Sequence, residues 1–87
     1  RIGRDRFVRN VLIAIGNSGD AKLVPNVEEL LSDPSPLVRA MAVWALRRLA
    51  PEHAKARAAS GVETETDAGV LEEWTRALPP ASQGRAG

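Results

Sequence analysis

Residues 32–50 read SDPSPLVRAMAVWALRRLA, and the two prolines near the start decide how the rest is taken. Pro34 disfavours helical geometry at Asp33, so a helix arriving from upstream ends there. Pro36 suits the first turn of a new helix, where its missing N–H has no intrahelical partner to lose, and Ser35 stands at the capping position before it. From Pro36 to about Leu49 nothing interrupts a helix. On a wheel of about 100° per residue, Val38, Met41, Ala42, Ala45 and Leu49 share one face. Arg39, Val43 and Arg47 lie roughly opposite, and Leu37 with Trp44 makes a second apolar flank. A helix apolar on two flanks needs neighbours on two sides and belongs in a stack.

Composition agrees. The chain has 87 residues, 44% of them apolar, with one Phe, two Trp and no Tyr. Its core must therefore be aliphatic, which suits close helix packing, and a chain this short supports one small domain. Without cysteine it has no disulfide, no thiolate ligand and no cysteine nucleophile. No apolar run approaches the roughly 18 residues of a membrane span, and no signal peptide opens the chain, so the expected location is the cytoplasm. The sequence begins at Arg1 without methionine and reads as a piece of a longer protein. Residues 1–50 carry eight Lys/Arg against five Asp/Glu, a balance of +3, while residues 51–87 carry four against six, a balance of −2. A basic half points weakly to a polyanion.

The remaining elements read as helices. Phe7, Val8, Val11, Leu12, Ala14 and Ile15 form the apolar stripe of a helix over 4–17. Ser18-Gly19 ends it, with glycine as the left-handed residue beyond the last turn. A second helix, 25–32, starts at Pro25 and buries Val27, Leu30 and Leu31. After the helix 36–49, an alanine-rich helix is expected over 51–60, then a loop over 61–69. Asp67 caps a last helix over 68–78, in which Val70, Leu71, Trp74 and Leu78 face inward. Trp44 is expected to be buried against the central helix's neighbours. Pro79 to Gly87 buries nothing and is expected to be a disordered tail.

The repeat lies in FVRNVLIAIGNSGD and LVRAMAVWALRRLA. Each opens a helix with Val-Arg, and Val8 to Val38 spans 30 residues while Ala14 to Ala45 spans 31. A period near 30 built of helix pairs predicts an all-α fold, a short right-handed α-solenoid of HEAT-like repeats with about five helices over 1–78. The spacing of Asp33-Pro34 and Val38-Arg39 resembles HEAT repeats, in which such an Asp and Arg join the turns of successive repeats.

Catalytic readings fail. His53 is the single histidine, in a polar first turn that suits the surface. Glu28-Glu29 and Glu72-Glu73 are adjacent pairs that diverge on a helix and cannot share a proton. Gly16 and Gly19 follow no strand, so they form no phosphate loop. No residue is expected to be catalytic, to bind a cofactor or to hold a metal. The better lead is cationic. Arg1, Arg4, Arg6 and Arg9 crowd one helix start, and Arg39, Arg47 and Arg48 form a second set. Arginines without interleaved aromatics suit phosphates rather than stacked bases. Ile13 and Val43 lie among these charges, which equally allows a face docked on another domain.

At Arg9-Asn10, Ala14, Gly16-Asn17, Gly19-Asp20, Val24-Pro25, Asp33-Pro34, Val38-Arg39 and Trp44-Ala45-Leu46 the chain resembles the C-terminal region of bacterial epoxyqueuosine reductase, also labelled an iron–sulfur cluster-binding protein. Residues 66–74 are similar to a later segment of that family. The resemblance implies a parent oxidoreductase with two 4Fe–4S clusters and a cobalamin that reduces epoxyqueuosine in tRNA, the last step of queuosine synthesis. It implies that those groups lie upstream and none in this chain. What maps here is a HEAT-like module expected to support the upstream catalytic domain and to help hold tRNA, with Arg1, Arg4, Arg6, Arg9, Arg39 and Arg47 as phosphate contacts. The alternative is a purely structural module docked on the catalytic domain or a partner, without RNA. Clustering of these arginines on one open surface would favour RNA; pairing with Asp5, Asp33 and the glutamates would disfavour it.

Overall fold

The computed structural model describes residues 2–79, with side chains from residue 3. Arg1 and all of the expected tail beyond Pro79 lie outside the described residues. Among the described residues there are five α-helices, one 3-10 turn and no strand. The helices are α1 (Ile2–Ser18), α2 (Val24–Leu30), α3 (Pro36–Leu49), α4 (Pro51–Thr64) and α5 (Ala68–Ala77), with the 3-10 turn Ala21–Leu23 leading into α2. The chain is the all-α solenoid its repeat predicts.

Local chemistry explains the boundaries. Gly19 takes φ 71° and turns the chain out of α1. Asp20 accepts a hydrogen bond from the Lys22 amide and so caps the 3-10 turn, and Asp67 does the same for α5 through the Val70 amide. Ser35 occupies the capping position of α3 in extended geometry, but its hydroxyl makes no cap bond. Asp33 acts instead, its carboxylate accepting from the Ser35 amide at 2.9 Å.

The helix α3 touches all four others, as its two apolar flanks require. Helices α1, α3 and α5 pack side by side in that order, α2 packs on α3, and α4 packs on α3 and α5. The shared core consists of Leu12, Val27, Leu31, Val38, Ala42, Val43, Ala45, Leu46, Ala54, Ala58, Val70 and Trp74. Small residues at the crossings let helices approach closely, and the two indoles exploit this. The ring of Trp44 lies against Gly16 of α1, and that of Trp74 against Gly61 of α4, so near that a methyl at either glycine would sit 2.5 Å from the ring.

Four expectations need correction. The stripe of α1 is split: Leu12 is buried and Val8 and Ile15 are half-buried, whereas Phe7, Val11 and Ala14 are exposed. Among the described residues α1 packs on α3 on one side only, so half of its two-sided pattern is left exposed. Val43 is buried, not set among surface charges, because α5 covers that side of α3. The loop over 61–69 begins only after Thr64: α4 continues through Gly61, which Trp74 holds in the helix by packing on it. Trp74 rather than Trp44 is the buried indole, 5% exposed, while Trp44 is half-buried with the Arg48 guanidinium 5.4 Å above its ring.

Candidate functional site: the arginines and what they hold

Five of the six candidate arginines are described; Arg1 is not. Three of the five meet acids that lie 26 to 29 residues further along the chain. In a solenoid, residues about one repeat apart become neighbours on adjacent helices, so this spacing is itself a mark of stacking.

Arg4 grips Asp33 with both terminal nitrogens, at 2.7 and 3.0 Å, and also bonds Asp5 at 2.9 Å. Those hydrogen bonds, Asp33's first, hold the Arg4 proton more tightly than usual. Arg39 grips Glu65 in the same bidentate way, through Nε at 3.1 Å and Nη2 at 2.9 Å. Its Nη1 donates to the backbone carbonyls of Asp33 and Pro34. The contact expected between Asp33 and Arg39 thus runs through the Asp33 carbonyl, while the Asp33 carboxylate receives Arg4.

Asp33 and Glu65 stand in equivalent places. Each precedes the capping residue of the next helix by two positions, and each bonds that residue's amide, Ser35 and Asp67 respectively. A ladder results: Arg4 to Asp33, the Asp33 carbonyl to Arg39, Arg39 to Glu65. Burial alone would push the Glu65 carboxyl up. The Arg39 hydrogen bond, the Asp67 and Thr66 amides and the Arg39 charge outweigh it and hold the group below its ordinary 4.5. The Glu65 bond, followed by its charge, raises Arg39 against the opposing effect of burial.

Arg47 reaches Glu73 of α5 at 2.8 Å. Its Nε is buried with no partner. Arg6 and Arg9 remain. Neither forms an ion pair among the described residues, and Arg9 donates only to its neighbour Asn10 at 3.3 Å. Arg6 is exposed and Arg9 half-buried, on the flank of α1 that also carries Asn10, Ile13 and Asn17. The five described candidates therefore do not form one open cationic face.

Elsewhere the surface offers little chemistry. His53 is exposed, as expected, and its Nε2 meets the Glu28 carboxylate, which also holds Arg57; this triad ties α4 to α2. Glu28 and Glu29 diverge, with Glu29 exposed. The described residues enclose no pocket and bring together no group of three metal-ligating side chains, and no helix among them is long and apolar enough to cross a membrane.

Stacked helices joined by cross-repeat arginines agree with the sequence comparison, which matches the HEAT repeats over residues 5–79. The chain belongs to the HEAT-repeat family. Over 78 residues, 88% of its length, this HEAT-repeat chain is 35% identical to the epoxyqueuosine reductase of Listeria monocytogenes, covering 20% of that protein. Over 82 residues it is 28% identical to the epoxyqueuosine reductase of Bacillus cereus, covering 22%. It thus spans about a fifth of the length of these relatives. No solved structure gives a significant match.

Glu65 and Glu73, as the particular partners of Arg39 and Arg47, were the part that sequence reasoning missed. Glu65 lay in the expected loop and Glu73 in a helix's polar face, with no motif around either. The signal present was the spacing: each acid follows its arginine by 26 residues.

Proposed function

We propose that this HEAT-repeat chain is a structural module of an epoxyqueuosine reductase, from its C-terminal region, that stiffens and supports the catalytic part of the same polypeptide. The observation that carries this reading is the ladder. Arg4, Arg39 and Arg47 are committed to acids one repeat away, so their charge serves helix stacking and is largely neutralised toward a polyanion. Similarity to two proteins of that name supplies the parent.

In this reading the parent's reductive chemistry on epoxyqueuosine in tRNA, its two 4Fe–4S clusters and its cobalamin belong to other parts of the chain. These residues do not suit them: there is no cysteine, and among the described residues no cluster of ligating side chains. The parent works in the cytoplasm, where its tRNA is.

A second reading keeps a small RNA contact, favoured by Arg6 and Arg9, which have no acid partner among the described residues. Among the five described candidates it is a matter of two phosphates, not five. The test uses the full-length reductase. Removing one arginine–phosphate pair should reduce the log–log salt slope of tRNA binding by roughly 0.7–0.9. Arg39→Gln should lower the melting temperature and leave that slope alone. Arg6→Glu with Arg9→Glu should leave melting alone and flatten the slope by the equivalent of about two such pairs if the RNA contact exists. An Arg39→Gln protein that melts normally but loses salt dependence would overturn the structural assignment in favour of RNA.

A further inference from the structure

The exposed side of α1 is organised. Phe7, Val11 and Ala14 follow i, i+4, i+7 spacing, the register of one helical stripe. Phe7 is 68% and Val11 38% exposed. Adding 30 to each number gives Leu37, Met41 and Trp44, the matching stripe of α3. That stripe is the one α3 turns toward α1: the Trp44 ring lies on Gly16, and Arg48, one turn on, donates to the Gly16 carbonyl at 3.2 Å. Met41 and Trp44 are half-buried there, and Leu37 keeps 45% exposure at the rim.

In a solenoid every repeat presents the same two edges, one to each neighbour. The edge that α3 spends on α1 is the edge that α1 presents to water. We infer that the Phe7–Val11–Ala14 edge of α1 is a docking surface for a further helix of the parent polypeptide, from outside residues 1–87, which continues the layer of α1, α3 and α5.

Two observations select this occupant. The surface prolongs an interface already formed twice within the chain, between α1 and α3 and between α3 and α5. About four-fifths of the relatives' length lies outside the part this chain matches, so polypeptide for such a helix exists in proteins of that kind. The edge is apolar, and Arg6 and Arg9, which have no acid partner among the described residues, lie off it, so it suits a helix better than a nucleic acid. The inference rests on the reading of this chain as one module of a longer protein.

The test is photocrosslinking in the full-length protein. Benzoylphenylalanine replaces Phe7 in one variant and Val11 in another; both sites are exposed in the module, so neither substitution disturbs its core. Irradiation with and without tRNA is followed by peptide mapping. The expected product is an intramolecular crosslink to a helical peptide outside residues 1–87, unaffected by tRNA and lost when Ala14→Asp is added. A crosslink to a second copy, a crosslink to tRNA, or no crosslink at either position would each overturn the inference. Reductase activity is measured on the same samples. Loss of the reductase assignment with the intramolecular crosslink retained would leave the docking surface standing, and the reverse result would remove the surface alone.

Discussion

Gly61→Ala should destabilise the chain, although alanine is the better helix former. Gly61 lies inside α4, where the exchange by itself gains about 1 kcal/mol. The added Cβ, however, would lie 2.5, 2.6 and 2.8 Å from Cε2, Cδ2 and Nε1 of Trp74. Comfortable carbon contacts are about 3.5–4.0 Å, so the intrusion is roughly 1 Å at three atoms of one rigid ring. Trp74 is 5% exposed and has no solvent to swing into, so α5 must shift from α4 as a unit. Overpacking of this kind costs about 1–3 kcal/mol and here falls at the upper end. The net loss is then about 2 kcal/mol, which in a domain of this size lowers the melting temperature by about 8–16 °C. Thermal and urea melts followed by circular dichroism read it directly. Gly3→Ala, with nothing within 4 Å of the new Cβ, is the control and should not destabilise. A cycle with Trp74→Leu gives the mechanism: in that background Gly61→Ala should be neutral or stabilising, a coupling of about 2–3 kcal/mol. A Gly61→Ala chain as stable as wild type would refute the claim that the indole seats on the bare backbone.

Other outcomes follow from the same geometry. Trp74→Ala should cost about 3–5 kcal/mol in denaturant melts, and Trp44→Ala clearly less, since Trp44 keeps part of its ring in solvent; equal losses would contradict their different burial. Arg39→Ala should cost about 2 kcal/mol, because it strips charged hydrogen bonds from a nearly buried Glu65, whereas Arg6→Ala should stay within about 0.5 kcal/mol. Glu65 has a depressed folded pKa, so its contribution is full above the ordinary carboxylate value of 4.5 and lost as pH falls through the folded value. Glu65→Gln should therefore be destabilising at pH 7, with the gap to wild type closing as the pH is lowered below about 4.5; a gap independent of pH would mean that Glu65 is not held charged by Arg39.

The helices of this protein were legible because their signals are local. Pro25, Pro36 and Pro51 in first turns, Gly19 past a last turn and Asp67 at a cap act within a few residues, and each stands where the sequence implied. The fold class was legible too, since a period of about 30 residues brings equivalent helices into contact whatever fills the loops. The tertiary structure alone decided three things. It chose which half of α1's apolar pattern faces inward, because a two-sided stripe does not name the side that has a neighbour. It extended α4 through Gly61, because the ring of Trp74, thirteen residues away, supplies packing that a helix-weakening residue lacks. It committed three of the five described candidate arginines to acid partners, because an arginine's availability depends on the acids that folding brings to it. Arg4, Arg39 and Arg47 look like Arg6 and Arg9 in the sequence. They differ because Asp33, Glu65 and Glu73, more than seven helical turns away along the chain, stand within 3 Å of their guanidinium groups once the helices are stacked.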